Sequence, residues 1–133
     1  MEAWKLKYLQ RIESKSVLFG QLGCKLWTGA TKLNKKNRQP YGEIHVTLYR
    51  EPGIRGAGIA KVRPVHRVIF MIRNNVMNLD LDKQIQVSHL CGNSLCTEHS
   101  HLHPETDTEN KSRQSCHEKR ECKGHGGRPD CIV

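Results

Sequence analysis

The sequence is poor in the residues that usually build a protein core. Hydrophobic residues make up 36% of the 133-residue chain, and aromatic residues make up only 5%. A core with this content would be thin, because small domains depend on buried apolar surface for most of their stability. The length suits one domain, and the composition predicts that this domain needs cross-links of another kind.

Long apolar runs and an export signal are also absent from the sequence. No run approaches the roughly 20 apolar residues of a membrane span, and residues 1–10, MEAWKLKYLQ, do not resemble a signal peptide. We therefore expect a soluble intracellular protein, nuclear or cytoplasmic, without a membrane partner. Six cysteines in such a protein indicate metal binding. The alternative is a secreted domain with three disulfides.

Acidic residues are scarce in the middle of the chain. The formal net charge is +9, and residues 32–73 supply +8 of it, with ten basic and two acidic residues. Residues 105–133 are neutral by the same count. A concentrated basic segment is typical of nucleic-acid-binding proteins. The alternative is a solvated basic surface that only increases solubility.

Hydrophobic periodicity predicts an α+β chain with few short helices and no internal repeats. Helices are expected over residues 2–16, over VHRVIFMIRNN after Pro64, and over ETDTENKSRQS. In the last of these, Thr106 and Glu109 have the spacing of a capping box, so Asn110 lies early in the helix.

Alternation of polar and apolar residues predicts strands over 41–49 and 84–90. Between them, EPGIRGAG has the composition of a turn, and GIAKVRP is expected to return as a second strand. Residues 31–39 are predicted to form a polar basic loop. A two- or three-stranded antiparallel sheet with a polar, basic outer face would fit the major groove of double-stranded DNA.

Eight cysteine and histidine residues divide into two sets of four zinc ligands. Structural zinc takes four tetrahedral ligands from thiolates and imidazoles. The division uses every cysteine and predicts one site at Cys24, Cys91, Cys96 and His101, and another at Cys116, Cys122, His125 and Cys131. Two zinc ions bound in this way would add folding free energy to a thin core.

Other histidines compete for these positions. His99 or His103 could replace His101 in the first site, and His117 could replace His125 in the second. Spacing alone favours His101 and His125 without excluding the alternatives.

His89 lies outside both sets and ends the predicted strand over 84–90. A strand, a zinc-held loop and a helix would bring His89 and Asn110 face to face, as a phosphodiesterase with one catalytic metal requires. His89 would then take a proton from water, and the Asn110 amide oxygen would bind Mg²⁺. The alternative is that His89 is a spare zinc ligand and Asn110 a helix-surface residue.

Residues 88–102, SHLCGNSLCTEHSHL, followed by TENKSR and a Cys/His tail, resemble the His-Cys box of the His-Cys box homing endonucleases. These enzymes belong to the ββα-metal (His-Me finger, HNH-like) nucleases. PYGEI, VHRVIF and the position of Cys24 resemble other parts of the family, and CKLWTGA resembles phage HNH proteins. The resemblance implies two structural zinc ions, His89 as the general base and Asn110 as the ligand of a catalytic Mg²⁺. Duplex DNA would be cut to leave a 3′ hydroxyl.

The resemblance also implies an arginine near the scissile phosphate. Nothing in the sequence fixes its position. Arg55 is the candidate, and Arg63 and Lys61 are the alternatives.

The expected architecture is a single domain over residues 1–133 with a small zinc-stabilised ββα-metal nuclease fold. Residues 20–75 are expected to contact DNA, and residues 85–131 to hold the His-Cys box, the active site and the second zinc site. Well-known family members dimerise through a C-terminal extension, whereas this sequence ends two residues after Cys131. A tail-swapped dimer is therefore not expected, and the choice between monomer and homodimer stays open. The alternative function is a catalytically inactive, zinc-stabilised DNA-binding module.

Overall fold

A computed structural model describes residues 3–47, 60–74 and 86–133. None of the helices in these ranges is long and apolar enough to cross a lipid bilayer. A short 3₁₀ helix, His99–His101, precedes the last strand. The other elements are, in chain order, α1 (Ala3–Ser14), β1 (Ser16–Phe19), β2 (Cys24–Trp27), β3 (Thr31–Leu33), β4 (Pro40–Thr47), β5 (Ala60–Pro64), α2 (Val65–Arg73), β6 (Gln86–His89), β7 (Leu102–Glu105) and α3 (Asp107–Lys119).

Within the described residues, the strands form three small antiparallel sheets. β1 pairs with β2, β6 pairs with β7, and β4 lies between β3 and β5. The α+β fold class and the antiparallel sheet around β4 are therefore confirmed. In chain order, β6 and β7 form an antiparallel pair, and the helix α3 follows them.

The hydrophobic core forms around α2, because its apolar side chains recur at helical spacing. The buried residues of this helix are Val65, Val68, Ile69, Met71 and Ile72. Ile44 and Val46 of β4 and Ile12 of α1 belong to the same buried cluster. The core therefore joins α1, the β4 sheet and α2.

Trp27 extends this core, and its ring leaves no room for a side chain at Gly29 or Gly42. Trp27 is 4% exposed, and its Nε1 donates to the Ala30 carbonyl at 2.9 Å. A Cβ atom at Gly42 would lie 2.6 Å from the ring Cδ1, and one at Gly29 would overlap the ring. The glycines in WTGA and YGEI are therefore explained by close packing of the backbone against Trp27.

Most element boundaries lie within two residues of the sequence predictions, and two differ by more. The predicted loop over 31–39 is wrong at its start, because β3 pairs with β4 and only residues 34–39 connect the two strands. The helix predicted over 105–115 continues to Lys119. It ends where Arg120 adopts a left-handed conformation with φ of 55°. A glycine would usually mark such an end, and its absence concealed the boundary.

The outer face of the β4 sheet is less basic than predicted. Residues directly opposite each other in an antiparallel pair point to the same face. Arg63 is opposite Ile44 and Lys61 is opposite Val46, so both basic residues share the face of buried β4 residues. Val62 faces outward instead and is 40% exposed.

A buried ionic network joins β7, α3 and the C-terminal tail. The Glu105 carboxylate is fully buried and accepts hydrogen bonds from Arg113 Nε at 2.6 Å and Arg128 Nη1 at 2.9 Å. His103 Nδ1 lies 3.2 Å from the same carboxylate. Burial raises the pKa of Glu105, but its hydrogen bonds with these three residues outweigh burial, and the net shift is downward. The network therefore holds the tail against the strand.

Glu105→Gln should destabilise the fold by about 3 to 5 kcal/mol, because it leaves Arg113 as an uncompensated buried charge. Urea unfolding at saturating zinc measures the free energy of unfolding. Glu13→Gln is the matched control, since Glu13 pairs with Lys25 at the surface at 3.2 Å. It should cost less than about 1 kcal/mol. Equal losses in the two variants would contradict a structural role for the buried network.

Candidate functional site

The first predicted set of zinc ligands comes together in the structure. Cys24, Cys91, Cys96 and His101 are all buried, and their ligand atoms lie within 4.8 Å of one another. His101 Nδ1 is 3.7 Å from Cys24 Sγ and 3.5 Å from Cys96 Sγ. Cys24 begins β2, whereas the other three residues follow β6. The cluster therefore connects the N-terminal hairpin with the C-terminal half of the chain.

The second set also comes together. Cys116, Cys122, His125 and Cys131 have their ligand atoms within 4.8 Å of one another. His125 Nε2 is 3.6 Å from Cys116 Sγ and 3.1 Å from Cys131 Sγ. Cys116 lies in the last turns of α3, and the other three residues lie in the irregular tail. This cluster therefore holds a tail with few apolar residues onto α3.

The chemistry and spacing of both clusters fit Zn²⁺. A tetrahedral ion with zinc–sulfur and zinc–nitrogen bonds of ordinary length places its sulfur and nitrogen ligands about 3.6 Å apart. Of the four sulfur–nitrogen distances given above, three lie within 0.1 Å of that value, and the fourth, at 3.1 Å, is shorter. A hydrogen bond with Cys91 lowers the pKa of the Cys96 thiol to about 5. The same hydrogen bond raises the pKa of Cys91, so Cys96 is the thiolate of this pair and Cys91 the thiol before a cation binds.

The competing histidines lie outside the two clusters. His99 is exposed, and His103 contacts Glu105. His117 bonds to the Leu90 backbone, while its Nε2 is buried without a partner among the described residues. The structure therefore groups His101 and His125 with the cysteines, as the favoured division predicts.

Backbone hydrogen bonds hold the loop that contains Cys91 and Cys96 against β2. Trp27 N donates to the Leu95 carbonyl at 2.9 Å, and Thr97 N donates to the Lys25 carbonyl at 2.6 Å. The side chain of Ser94 also donates to the Pro40 carbonyl at the start of β4. The loop is therefore fixed to both the N-terminal hairpin and the β4 sheet.

His89 lies at the end of β6 with its two ring nitrogens in different environments. One nitrogen bonds to the Cys96 backbone, and Nε2 is buried without a partner among the described residues. The Cys96 N–H is already donated to the Asn93 carbonyl at 3.0 Å, so the carbonyl of Cys96 is the acceptor. Burial lowers the pKa of His89 to about 4. The imidazole is therefore neutral near pH 7, with the proton on Nδ1 and a free lone pair on Nε2.

His66, at the start of α2, contacts the His89 ring. The ring centroids are 4.6 Å apart, and the planes are tilted by 55°. Burial places the pKa of His66 well below its usual range, and His89 and Arg67 lower it further. Two neutral imidazoles therefore lie side by side next to a guanidinium group.

Asn110 lies in the first turn of α3, next to the strand that carries His89. Thr106 is the N-cap, as its spacing from Glu109 predicts, and its Oγ1 accepts from Glu109 N at 3.3 Å. The helix begins at Asp107, two residues after the predicted start, because Glu105 belongs to β7. Asn110 is half-buried. Its Oδ1 accepts from Ser88 Oγ at 2.9 Å, and its Nδ2 donates to Gln86 Oε1 at 2.7 Å. Asn110 therefore contacts β6 through the residue that precedes His89.

Of the three basic candidates for the scissile phosphate, Arg55 lies outside the described residues. Lys61 and Arg63 are on β5, immediately before α2 and His66. Burial lowers the pKa of Arg67, and the charge of Arg63 lowers it further, so these two guanidinium groups are near each other. Arg63 is the described candidate that lies closest in sequence to His66.

The sequence patterns do not single out His66, Ser88 or Gln86. A signal for two of them was present, because Gln86 and Ser88 alternate along β6 and so share one face. If this face of β6 packs against the helix that carries Asn110, then Gln86 and Ser88 are the expected hydrogen-bond partners of Asn110. His66 forms part of the VHRVIF segment, but its contact with His89 depends on how α2 packs against β6.

Cys96→Ser should reduce bound zinc from two ions per chain to one and destabilise the fold, because it removes a thiolate from the cluster that joins both halves. Two measurements test this: the zinc content after dialysis, and far-ultraviolet circular dichroism, which reports whether the protein is folded. His99→Ala is the matched control, since it removes an exposed histidine from the same loop and should leave two ions. A folded Cys96→Ser protein with two zinc ions would rule out the first site.

Comparison with known proteins identifies the family. Residues 25–131 match a family model described as the zinc-binding loop region of homing endonuclease. No curated protein and no solved structure matches the chain. The matched residues cover well over half of the chain and contain seven of the eight clustered ligands, with Cys24 immediately before them. The chain therefore belongs to the homing endonuclease family that this zinc-binding loop region defines.

Proposed function

We propose that the protein is a Mg²⁺-dependent endonuclease that hydrolyses phosphodiester bonds of double-stranded DNA. The observation that carries the proposal is His89, whose Nδ1 is held by the Cys96 carbonyl while Nε2 has no partner among the described residues. Membership of the homing endonuclease family supports nuclease chemistry in general. The roles of single residues are inferred from their contacts.

His89 is the proposed general base. A neutral imidazole that donates from Nδ1 has a lone pair on Nε2, and this atom can take a proton from water. The Cys96 carbonyl fixes both the tautomer and the ring orientation. Since Cys96 also belongs to the first zinc cluster, that cluster positions the base.

Asn110 is the proposed ligand of the catalytic cation. Magnesium prefers oxygen ligands and accepts few of them from protein, so phosphate and water oxygens would complete the site. Asn110 Oδ1 accepts one hydrogen bond, from Ser88, and a carbonyl oxygen has a second lone pair. The bound metal would stabilise the charge that develops on the phosphate and on the leaving 3′ oxygen.

The proposed DNA surface includes the connection between β3 and β4. Four basic side chains lie in or beside it: Lys32, Lys35, Lys36 and Arg38. The charge of Lys36 contributes to lowering the pKa of Asp107, so this connection lies near the N-terminal end of α3. The Ser94–Pro40 hydrogen bond joins the zinc loop to the same region. These contacts support a single domain in which residues 20–75 hold DNA next to His89 and Asn110.

A basic residue at the scissile phosphate completes the proposal. Arg55 stays a prediction, and Arg63 and Lys61 are the described alternatives. Their strand leads directly into α2, whose second residue, His66, contacts His89.

His89→Ala should reduce cleavage of supercoiled plasmid by at least about 100-fold, because a positioned general base contributes about that much or more. Bound zinc and DNA affinity should stay near wild type, since His89 belongs to neither cluster. The control is His99→Ala, which should cleave normally. Zinc loss in the His89 variant would make His89 a structural residue. DNA binding without Mg²⁺-dependent cleavage by the wild type, with its target sequence supplied, would favour the inactive DNA-binding module.

Replacing Lys35 and Lys36 together with Gln should make DNA affinity less dependent on salt. The slope of log affinity against log salt is negative, and each lost phosphate contact reduces its magnitude by about 1. Gel shifts across a salt series measure this slope. The control variant, Lys119→Gln with Lys123→Gln, removes the same charge at the opposite end of α3 and just after it, and should keep the wild-type slope. The same slope in all three proteins would exclude the β3–β4 connection from the interface.

A further inference from the structure

Four polar side chains form a hydrogen-bonded row from the surface of α3 to the buried face of β6. Gln86 Nε2 donates to Asp107 Oδ1 at 3.0 Å, and Asn110 Nδ2 donates to Gln86 Oε1 at 2.7 Å. Ser88 Oγ then donates to Asn110 Oδ1 at 2.9 Å. The row starts at an exposed carboxylate and ends at Ser88, which is 1% exposed.

Asp107 gives this row a direction. An ionised carboxylate only accepts hydrogen bonds, and the hydrogen bonds with Lys111 and Gln86 lower the pKa of Asp107. Its second oxygen is already 2.9 Å from Lys111 Nζ. Gln86 must therefore turn its NH₂ group toward Asp107 and its carbonyl oxygen toward Asn110. Asn110 in turn must direct its own NH₂ group at Gln86.

Ser88 cannot set the direction by itself. A serine hydroxyl donates or accepts with equal ease, so Ser88 would fit either orientation of the Asn110 amide. The two ends of an amide have the same shape and differ only in their hydrogen-bonding character. The acceptor at Gln86 is therefore the contact that distinguishes the two orientations of Asn110.

We propose that Asp107 and Gln86 are positioning residues that fix the orientation of the Asn110 amide, so that its oxygen and not its nitrogen is presented to a divalent cation. The identity of that cation as the catalytic Mg²⁺ rests on the proposed function. The orientation itself does not, because it follows from the hydrogen bonds among the four side chains. A hard cation binds the amide oxygen, so a reversed amide would offer it no ligand.

Exchanging the carboxylate at position 107 with the amide at position 86 tests the direction of the row. Asp107→Asn removes the obligatory acceptor, and Gln86 and Asn110 are then free to reverse together. Adding Gln86→Glu to that variant places an acceptor-only group directly against Asn110 Nδ2 and restores the net charge. Glu109→Gln removes another carboxylate from the same helical turn and serves as the control for charge and helix capping.

The first readout needs neither Mg²⁺ nor DNA. Heteronuclear NMR of the zinc-loaded protein detects the side-chain NH₂ signals of Asn110, which are assigned by their loss in Asn110→Asp. We expect one set of signals in the wild type and in Glu109→Gln, shifted or doubled signals in Asp107→Asn, and one set again in the swapped double variant. Unchanged signals in Asp107→Asn, or no recovery in the double variant, would overturn the proposal.

The second readout is the Mg²⁺ concentration that gives half-maximal plasmid cleavage. It should rise about 2- to 10-fold in Asp107→Asn, the range expected for one hydrogen bond, and should return toward wild type in the double variant. A wild-type Mg²⁺ requirement in Asp107→Asn would overturn the positioning role. A wild type that does not cleave would instead reject the proposed function, and the NMR result would then decide the orientation alone.

Discussion

The contact of Cys24 with Cys91, Cys96 and His101 links the N-terminal and C-terminal halves of the chain. It joins β2 to a loop that begins 67 residues later in the chain, and that loop supplies the carbonyl that holds His89. The second cluster has a parallel role, because Cys131 accepts a hydrogen bond from Arg113 Nη1 at 3.5 Å, and Arg113 pairs with Glu105. Through these bonds, the tail is fixed to the helix that carries Asn110.

Zinc is an effective cross-link for this chain because the apolar core lies elsewhere. The large buried cluster centres on α2, whereas Cys24, Cys91 and Cys96 form a separate buried group. His66 is one point where the two regions meet, since it belongs to α2 and contacts His89, and Trp27, which bonds to Leu95 of the zinc loop, is another. The proposed base therefore lies between an apolar core and a metal-held loop, which excludes water from most of its ring and keeps the ring neutral.

The features that the sequence predicts well are local ones. The helix capped by Thr106, the strand ending at His89 and the grouping of the cysteines follow from spacings of a few residues, or from the four ligands that zinc requires. The side-chain contacts that position His89 and Asn110, by contrast, form between elements that are distant in sequence. The bond between Ser88 and Asn110 and the buried pair of Glu105 and Arg113 depend on how α3 packs on β6 and β7. The face of Lys61 and Arg63 depends on strand register, which the alternation within a single strand does not determine.

We infer that two zinc ions, each bound by three thiolates and one imidazole, hold this fold. Zinc K-edge X-ray absorption of the purified protein tests it most directly. We expect two zinc ions per chain and an average shell of three sulfur ligands at about 2.3 Å and one nitrogen at about 2.0 to 2.1 Å. A folded chain without zinc, or a shell in which nitrogen and oxygen ligands outnumber sulfur, would contradict it.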